Sequence, residues 1–442
     1  MERFLKWIEE KLLPPMASLS EQRHLRAIRD GVISTISLII VGSFFLIIAQ
    51  PPIASWALAI KPFVPKIMIP YRLTMGLMSL YAAYGMGYSL AKSYKLDGVT
   101  GGVLSLAAFL LATTPVNIDA VLAEATKAGV AGATPVGWVL PMANLGGSGL
   151  FVAIICMILA VETLRLLTKY HVTLKMPEQV PESVARSFEA LIPAAVIITF
   201  VWFIRVWLEF DIQAAIMNLF KPIVNVAGNS LGGILLPVIF VTLLWAAGIH
   251  GMSVIGSLVR PIWLVLLDQN TAAVAAGKLI PNIAPEPFFQ WFIWIGGAGA
   301  TLSLALLMCF SSSEYLKRVG RFSIIPGVFN INEPLIFGAP IVMNPILAIP
   351  FILAPTVAAI IAYGATTLGL VSKVYIIAPW TLPAPIGAYV ATGGDWRAPL
   401  LVIFNIILAT FIYYPFFKVY EKKMVAEEQS QVTSKSGEVI TG

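Results

Sequence analysis

Long apolar stretches, punctuated by short polar or basic segments, run from residue 29 to residue 418. A bilayer crossing needs about 20 predominantly apolar residues. Residues 29–49, 72–91, 98–114, 141–166, 189–208, 231–249, 252–267, 287–310, 341–369 and 398–418 meet or approach that length. The pattern predicts an all-α polytopic membrane protein with about ten transmembrane helices. Two stretches fit neither a span nor a loop. Residues 324–340 are largely apolar but carry Pro326, Gly327, Pro334, Gly338 and Pro340, and residues 376–394 carry Pro379, Pro383 and Pro385. Irregular backbone at membrane depth is tolerated only where protein buries it or where it lines a watery cavity. Both stretches are therefore expected to be re-entrant hairpins, the kind of broken segment around which transporters build substrate sites.

Outside the spans, Phe4, Leu5, Ile8, Leu12 and Leu13 fall near one helical face, which predicts an amphipathic helix on the membrane surface. The polar connector 176–188 is a candidate for a second surface helix. After residue 425 the chain turns polar and small, so the expected organisation is one membrane domain over 1–425 and a disordered tail over 426–442.

Composition agrees with lipid as the solvent. Hydrophobic residues make up 58% and charged residues 12% of the 442, against about 45–50% and about 25% in soluble domains. The net charge of +6 does not read as nucleic-acid binding. Its residues cluster beside apolar runs: Arg23, Arg26 and Arg29; Lys92 and Lys95; Arg165, Lys169 and Lys175; Lys317, Arg318 and Arg321; Lys418, Lys422 and Lys423. With a cytoplasmic N-terminus, ten alternating spans place all these clusters inside, as the positive-inside rule requires, and leave both termini cytoplasmic. Early charges from Glu2 to Lys11 interrupt any signal-peptide core. Cys156 and Cys309 lie within apolar runs and read as small hydrophobes, with no disulfide, metal site or cofactor expected.

Ionisable residues at membrane depth cost about 2.5–3.5 kcal/mol on insertion scales, so each is a functional candidate. Glu333 lies at the centre of the first broken segment, in Asn332-Glu333-Pro334, where Pro334 is expected to end any helix and extend the backbone before it. His250 ends an apolar run between Gly248 and Gly251, and a neutral imidazole both donates and accepts hydrogen bonds. Among the aromatic residues near breaks, Trp138, Trp245, Trp380 and Trp396 have faces on which a sugar can stack, and Trp380 and Thr381 lie inside the second expected hairpin. Asn144, within Asn144-Leu145-Gly146-Gly147-Ser148-Gly149, is a further hydrogen-bonding candidate. His24 and His171 are expected to be solvated. No phosphate-binding Gly loop with Lys-Ser/Thr occurs, which excludes an ATP-driven pump of that type. No paired intramembrane charges stand out as an ion relay. The residues alone lead to a transporter or channel with a broken-helix polar site.

The Asn332-Glu333-Pro334 and Gly248-Ile249-His250-Gly251 segments, the Asn144 glycine stretch and the opening Leu25-Arg26-Ala27-Ile28-Arg29-Asp30-Gly31 together resemble a bacterial family. It is enzyme IIC of the lactose/cellobiose/diacetylchitobiose branch of the sugar phosphotransferase system, and the resemblance covers about residues 1–425. It implies ten spans, two re-entrant hairpins, a homodimer in the bacterial cell membrane and group translocation. A β-linked disaccharide moves inward and is phosphorylated by a phosphocysteine on a separate cytoplasmic enzyme IIB. Diacetylchitobiose is the first expectation, with cellobiose or lactose next. The chain itself is then the translocating subunit rather than an enzyme. By the same resemblance Glu333 holds the receiving hydroxyl, Asn332 helps orient the ring and His250 stabilises the moving charge. The competing expectation is an ion-coupled secondary transporter of a small polar solute.

Overall fold

The computed structural model describes residues 22–49, 54–119, 137–174, 188–339 and 344–440, with a few single positions between these stretches. The expected N-terminal amphipathic helix lies outside the described residues, as does almost all of the connector 176–188.

The described chain is helical nearly throughout. Its helices are α1 (Arg23–Ala49), α2 (Ala54–Ile60), α3 (Val64–Thr74), α4 (Met78–Ser93), α5 (Gly98–Thr113), α6 (Leu150–Lys169), α7 (Leu191–Trp202), α8 (Ile212–Asn229), α9 (Leu231–Ala246), α10 (Gly251–Ala275), α11 (Glu286–Phe292), α12 (Leu302–Cys309), α13 (Glu314–Val328), α14 (Glu333–Gly338), α15 (Pro345–Thr367), α16 (Ala384–Ala391) and α17 (Arg397–Ile440). A two-residue antiparallel ribbon pairs β1 (Val116–Asn117) with β2 (Trp138–Val139). Among the described residues, five helices are long and apolar enough to cross a membrane, or six if a bent pair counts as one span.

Helix starts follow local sequence. Asn344 caps α15 by accepting from the Ile346 and Leu347 amides, ahead of Pro345 at the first helical position, where a missing N–H costs nothing. Ser313 caps α13, Ser230 caps α9 and Asp97 caps α5 in the same way.

The described chain forms two compact units. One comprises 22–45 and 65–223. Its core is α4, α5 and α6, where a Cβ on Gly87 would collide with Ser105 and the Gly101 carbonyl, so small residues set the helix separation. In this unit His24 donates from Nε2 to the Glu162 carboxylate at 2.9 Å, a partner in place of the expected solvation.

The other unit comprises 46–64 and the chain from 224 onwards. Helix α17 is apolar on both faces: Ala398, Val402, Ala409, Tyr413 and Phe417 are buried, while Leu400, Phe404, Ile407 and Phe411 are exposed. A helix with an apolar stripe facing outward as well as inward has lipid as its outer solvent.

Four expectations change. The span expected over 287–310 is broken, because Ile293–Thr301 separates α11 from α12. The span over 189–208 continues through a π-helical turn (Phe203–Trp207) and turns by 86° into α8, whose sequence carries Lys221 and Pro222 and is not a continuous apolar run. Helix α13 runs through Pro326 and Gly327 to Val328, so the break lies at 329–332. A proline so near the C-terminus of a helix removes only one donor. Finally, α17 continues to Ile440 where a disordered tail was expected from 426. The Glu428 carboxylate accepts from Ser313 Oγ and from the Tyr315 and Glu314 amides, which ties the polar extension to the loop before α13.

Candidate functional site

The second unit carries three breaks that meet: the loop 293–301, the link 329–332 and the turn 379–382. Asn330 joins them. It sits in the left-handed region (φ 63°), which asparagine tolerates better than most residues. Its Nδ2 donates to the Trp380 carbonyl at 2.8 Å and the Leu382 carbonyl at 2.9 Å, while its Oδ1 accepts from the Gly296 amide at 3.1 Å. Two acceptors and one donor around the amide leave one orientation that satisfies all three.

Asn332, two residues on, is 5% exposed and donates from Nδ2 to the Ala298 carbonyl at 2.7 Å. Gly297 lies against it at φ 99°, where a Cβ would overlap the Asn332 amide. Asn332 was expected to help orient the ring; its Nδ2 is engaged by the glycine loop.

The stretch of the second expected hairpin folds as an extended arm followed by a helical arm, α16. The Tyr375 and Ile376 amides donate to the Ala391 carbonyl at the base. Buried Asn270 and Thr271 on α10 donate to the Val374 and Tyr375 carbonyls, satisfying extended backbone that pairs with no strand there. At the mouth, Asp395 accepts from the Ser372 amide and from Arg397. Trp380 and Thr381 form the exposed turn at the tip, with Trp380 51% exposed. Trp396 lies beyond the base, before α17.

Glu333 occupies the first turn of α14, and Pro334 follows it at the second position. The expectation that Pro334 ends a helix is therefore reversed: proline begins this one, since first-turn amides have no partner to lose. Leu335 and Ile336 anchor α14 in the core, while the Glu333 carboxylate is exposed and has no partner among the described residues.

His250 caps α10. Its Nδ1 accepts from the Ser253 amide at 3.2 Å and lies 3.1 Å from Ser253 Oγ. The neutral ring then carries its proton on Nε2, which is left free to donate. Trp245 was expected to offer a stacking face, but it is 5% exposed and backs the imidazole at a centroid distance of 4.5 Å. Trp245, Leu335, Ile336 and Ala339 belong to one buried cluster, with Ile249 and Val342 packed on it, so the His250 turn and the Glu333 helix rest on a common core. Trp138 (70% exposed, on β2) and half-buried Asn144 belong to the first unit. No group of three or more His, Cys, Asp and Glu among the described residues is placed to hold a metal.

A charge pair also emerged that was not expected. Arg260, in the middle of α10, binds Glu286 Oε1 through Nε and Nη2 at 3.1 and 2.7 Å, with each side chain about one-fifth exposed. The available signals were a lone arginine in an apolar run and a glutamate set between Pro285 and Pro287. Asn330 had a weaker one, an asparagine just after a proline-glycine pair.

The sequence matches the family described as "Phosphotransferase system, EIIC" over residues 29–355. The chain belongs to that family. The EIIC chain is 42% identical to the "PTS system cellobiose-specific EIIC component" of Geobacillus stearothermophilus over 99% of its length and 98% of the relative. It is 39% identical to the "Lichenan permease IIC component" of Bacillus subtilis (strain 168), covering 97% and 96%. Among solved structures, the transporter ChbC, the IIC component from the N,N'-diacetylchitobiose-specific phosphotransferase system, superposes with a TM-score of 0.88 at 40% identity, covering 96% of this chain and 99% of that one. An EIIC chain is the translocating, multi-pass membrane component of its system, which fits the apolar helices and argues against the ion-coupled alternative.

Proposed function

We propose that this EIIC chain moves a β-linked disaccharide inward and presents it for phosphorylation by a separate enzyme IIB on the cytoplasmic side. The observation that carries this is the Glu333 carboxylate, held without a partner among the described residues at the head of a short helix where broken segments meet. A charged acceptor of that kind suits a sugar hydroxyl. The relatives named for cellobiose, lichenan and diacetylchitobiose favour a β-linked disaccharide.

The receiving hydroxyl donates to Glu333, and the exposed Trp380 ring stacks on a sugar face beside Thr381. As the O–P bond forms and the S–P bond of the donor phosphocysteine breaks, the hydroxyl proton passes to the Glu333 carboxylate and the thiolate leaves with IIB. The His250 Nε2–H donates to a phosphoryl oxygen as charge develops there. Asn144 and Trp138 stay candidate sugar contacts on their sequence context alone. The thiol comes from the partner because Cys156 is buried and Cys309 half-buried at the end of α12. The basic clusters support cytoplasmic termini, and the branch it resembles supports a homodimer.

The test is uptake into proteoliposomes with and without phosphorylated IIB, screening cellobiose, diacetylchitobiose and lactose. Sugar phosphate inside the vesicles, formed only when IIB is present, is the expected outcome. Accumulation of free sugar that follows a proton or sodium gradient would overturn the proposal.

A further inference from the structure

Asn330 takes no part in the chemistry above, yet its amide touches two broken segments from within a third. Counted from the amide outward, it holds the turn that carries Trp380 through two backbone carbonyls and the glycine loop through the Gly296 amide. The residue is 8% exposed; its bond from Gly296 is buried, and its bonds to the Trp380 and Leu382 carbonyls are partly buried. Among the described residues, the Trp380–Leu382 turn has few other hydrogen bonds. Its internal bond is the Leu382 amide to the Pro379 carbonyl, and the Trp380 ring is half exposed and makes no close ring contact with another aromatic among the described residues. The helix carrying Glu333 is fixed separately, by Leu335 and Ile336 in the core, and His250 is fixed by its own cap. Glu333 and His250 therefore have their own anchors, whereas Trp380 depends on Asn330.

We propose that Asn330 is a positioning residue: its buried amide sets the Trp380 turn against the Glu333 helix, and so controls sugar affinity without entering the phosphoryl-transfer step. This rests on the proposed sugar site. It predicts that loss of the amide acts through Trp380. Asn330→Asp keeps the size of the side chain and the acceptor for Gly296 but removes both donors, leaving two carbonyls facing a carboxylate. Asn330→Gly keeps the left-handed backbone and removes all three bonds.

The experiment is a double-mutant cycle on the full-length chain in proteoliposomes with phosphorylated IIB. It reads cellobiose affinity and KM against kcat for Asn330→Asp, Trp380→Ala and the double variant, with Asn330→Gly as a second disruption. Each single variant is expected to raise the dissociation constant about tenfold or more. The double variant is expected to be no weaker than about twofold beyond Trp380→Ala alone. KM should rise while kcat at saturating sugar stays within about twofold, a split that general loss of folded protein would not give. Independent effects, with the two losses multiplying in the double variant, would overturn the positioning role while leaving the sugar site in place. If Trp380→Ala binds sugar as the parent does, the site assignment itself fails, and the role of Asn330 with it. A fall in kcat with KM unchanged would also overturn the proposal.

Discussion

Nδ1 of His250 accepts the Ser253 amide at 3.2 Å, so one imidazole caps α10 and presents Nε2 outward. The two roles separate by substitution. His250→Asn keeps an oxygen that can cap the helix, whereas His250→Ala removes the cap, worth about 1 kcal/mol. Both variants should lose phosphoryl transfer, but the melting temperature should fall only in the alanine variant. Phosphorylation at the parental rate in His250→Asn would remove the ring from the mechanism.

Glu333→Gln should leave the fold unchanged, because the carboxylate has no partner to lose among the described residues. A hydrogen bond to a charged group contributes about 1.5–3 kcal/mol, so sugar affinity should fall roughly 10- to 100-fold. Calorimetric titration of the detergent-purified protein reads this directly, and an unchanged affinity would exclude Glu333 from the site.

Two glycines should respond oppositely to alanine. Gly297 is at φ 99° against the Asn332 amide, and Gly297→Ala should cost about 1–3 kcal/mol in stability and weaken sugar binding. Gly364 lies inside α15, and a methyl group added there would meet nothing within 4 Å. Gly364→Ala should therefore be neutral or stabilising by up to about 1 kcal/mol. Thermal melts of the pair decide it, and equal shifts would show that the glycine loop is not constrained as described.

The loop before α13 and the end of α17 should respond to acid. The Glu428 carboxyl is held below the usual range by the hydroxyl of Ser313 and the amide of Tyr315. Burial disfavours ionisation of Glu421, but hydrogen bonds from Lys418, the Ser312 amide and Ser311 outweigh it and hold its carboxyl low too. Both lie beyond the apolar 398–418 segment. A folded pKa below the unfolded value contributes stability that is present above the unfolded pKa, about 4.3, and is lost as pH falls through the folded one. Stability should thus be flat above about pH 5 and decline below about pH 4. In Glu428→Gln that decline should be shallower, and melts from pH 3 to 7 giving superimposable acid limbs would contradict the network.

Much of the architecture was legible in the chain because lipid imposes a simple rule. Apolar stretches of span length become helices, and α1, α4, α5, α6, α9, α10, α15 and α17 fall where the pattern put them. Proline and glycine marked the hairpin at 376–394 for the same reason, since few other residues interrupt a span. The same cue misled at Pro326, which α13 absorbs near its end, and at Pro334, which starts α14 instead of ending a helix. It was missed at 293–301, where Gly296, Gly297 and Gly299 sit among apolar neighbours whose mean hydropathy hides the break.

The sequence by itself determined the solvent and the helical class and singled out Glu333 and His250 as candidates for chemistry, because each of these follows from composition and spacing over a few residues. What only the tertiary structure decided is which side chains are free and which are committed. Asn332 and Asn330 look alike in the chain, and so do Trp245 and Trp380. Yet both asparagines spend their amides on distant backbone, Trp245 is packed behind an imidazole and Trp380 stands half exposed on a turn. Those assignments depend on partners 34 to 52 residues away, or on burial by other helices. A hydrogen bond of that kind is fixed by the meeting of segments in space, which no local pattern of residues encodes.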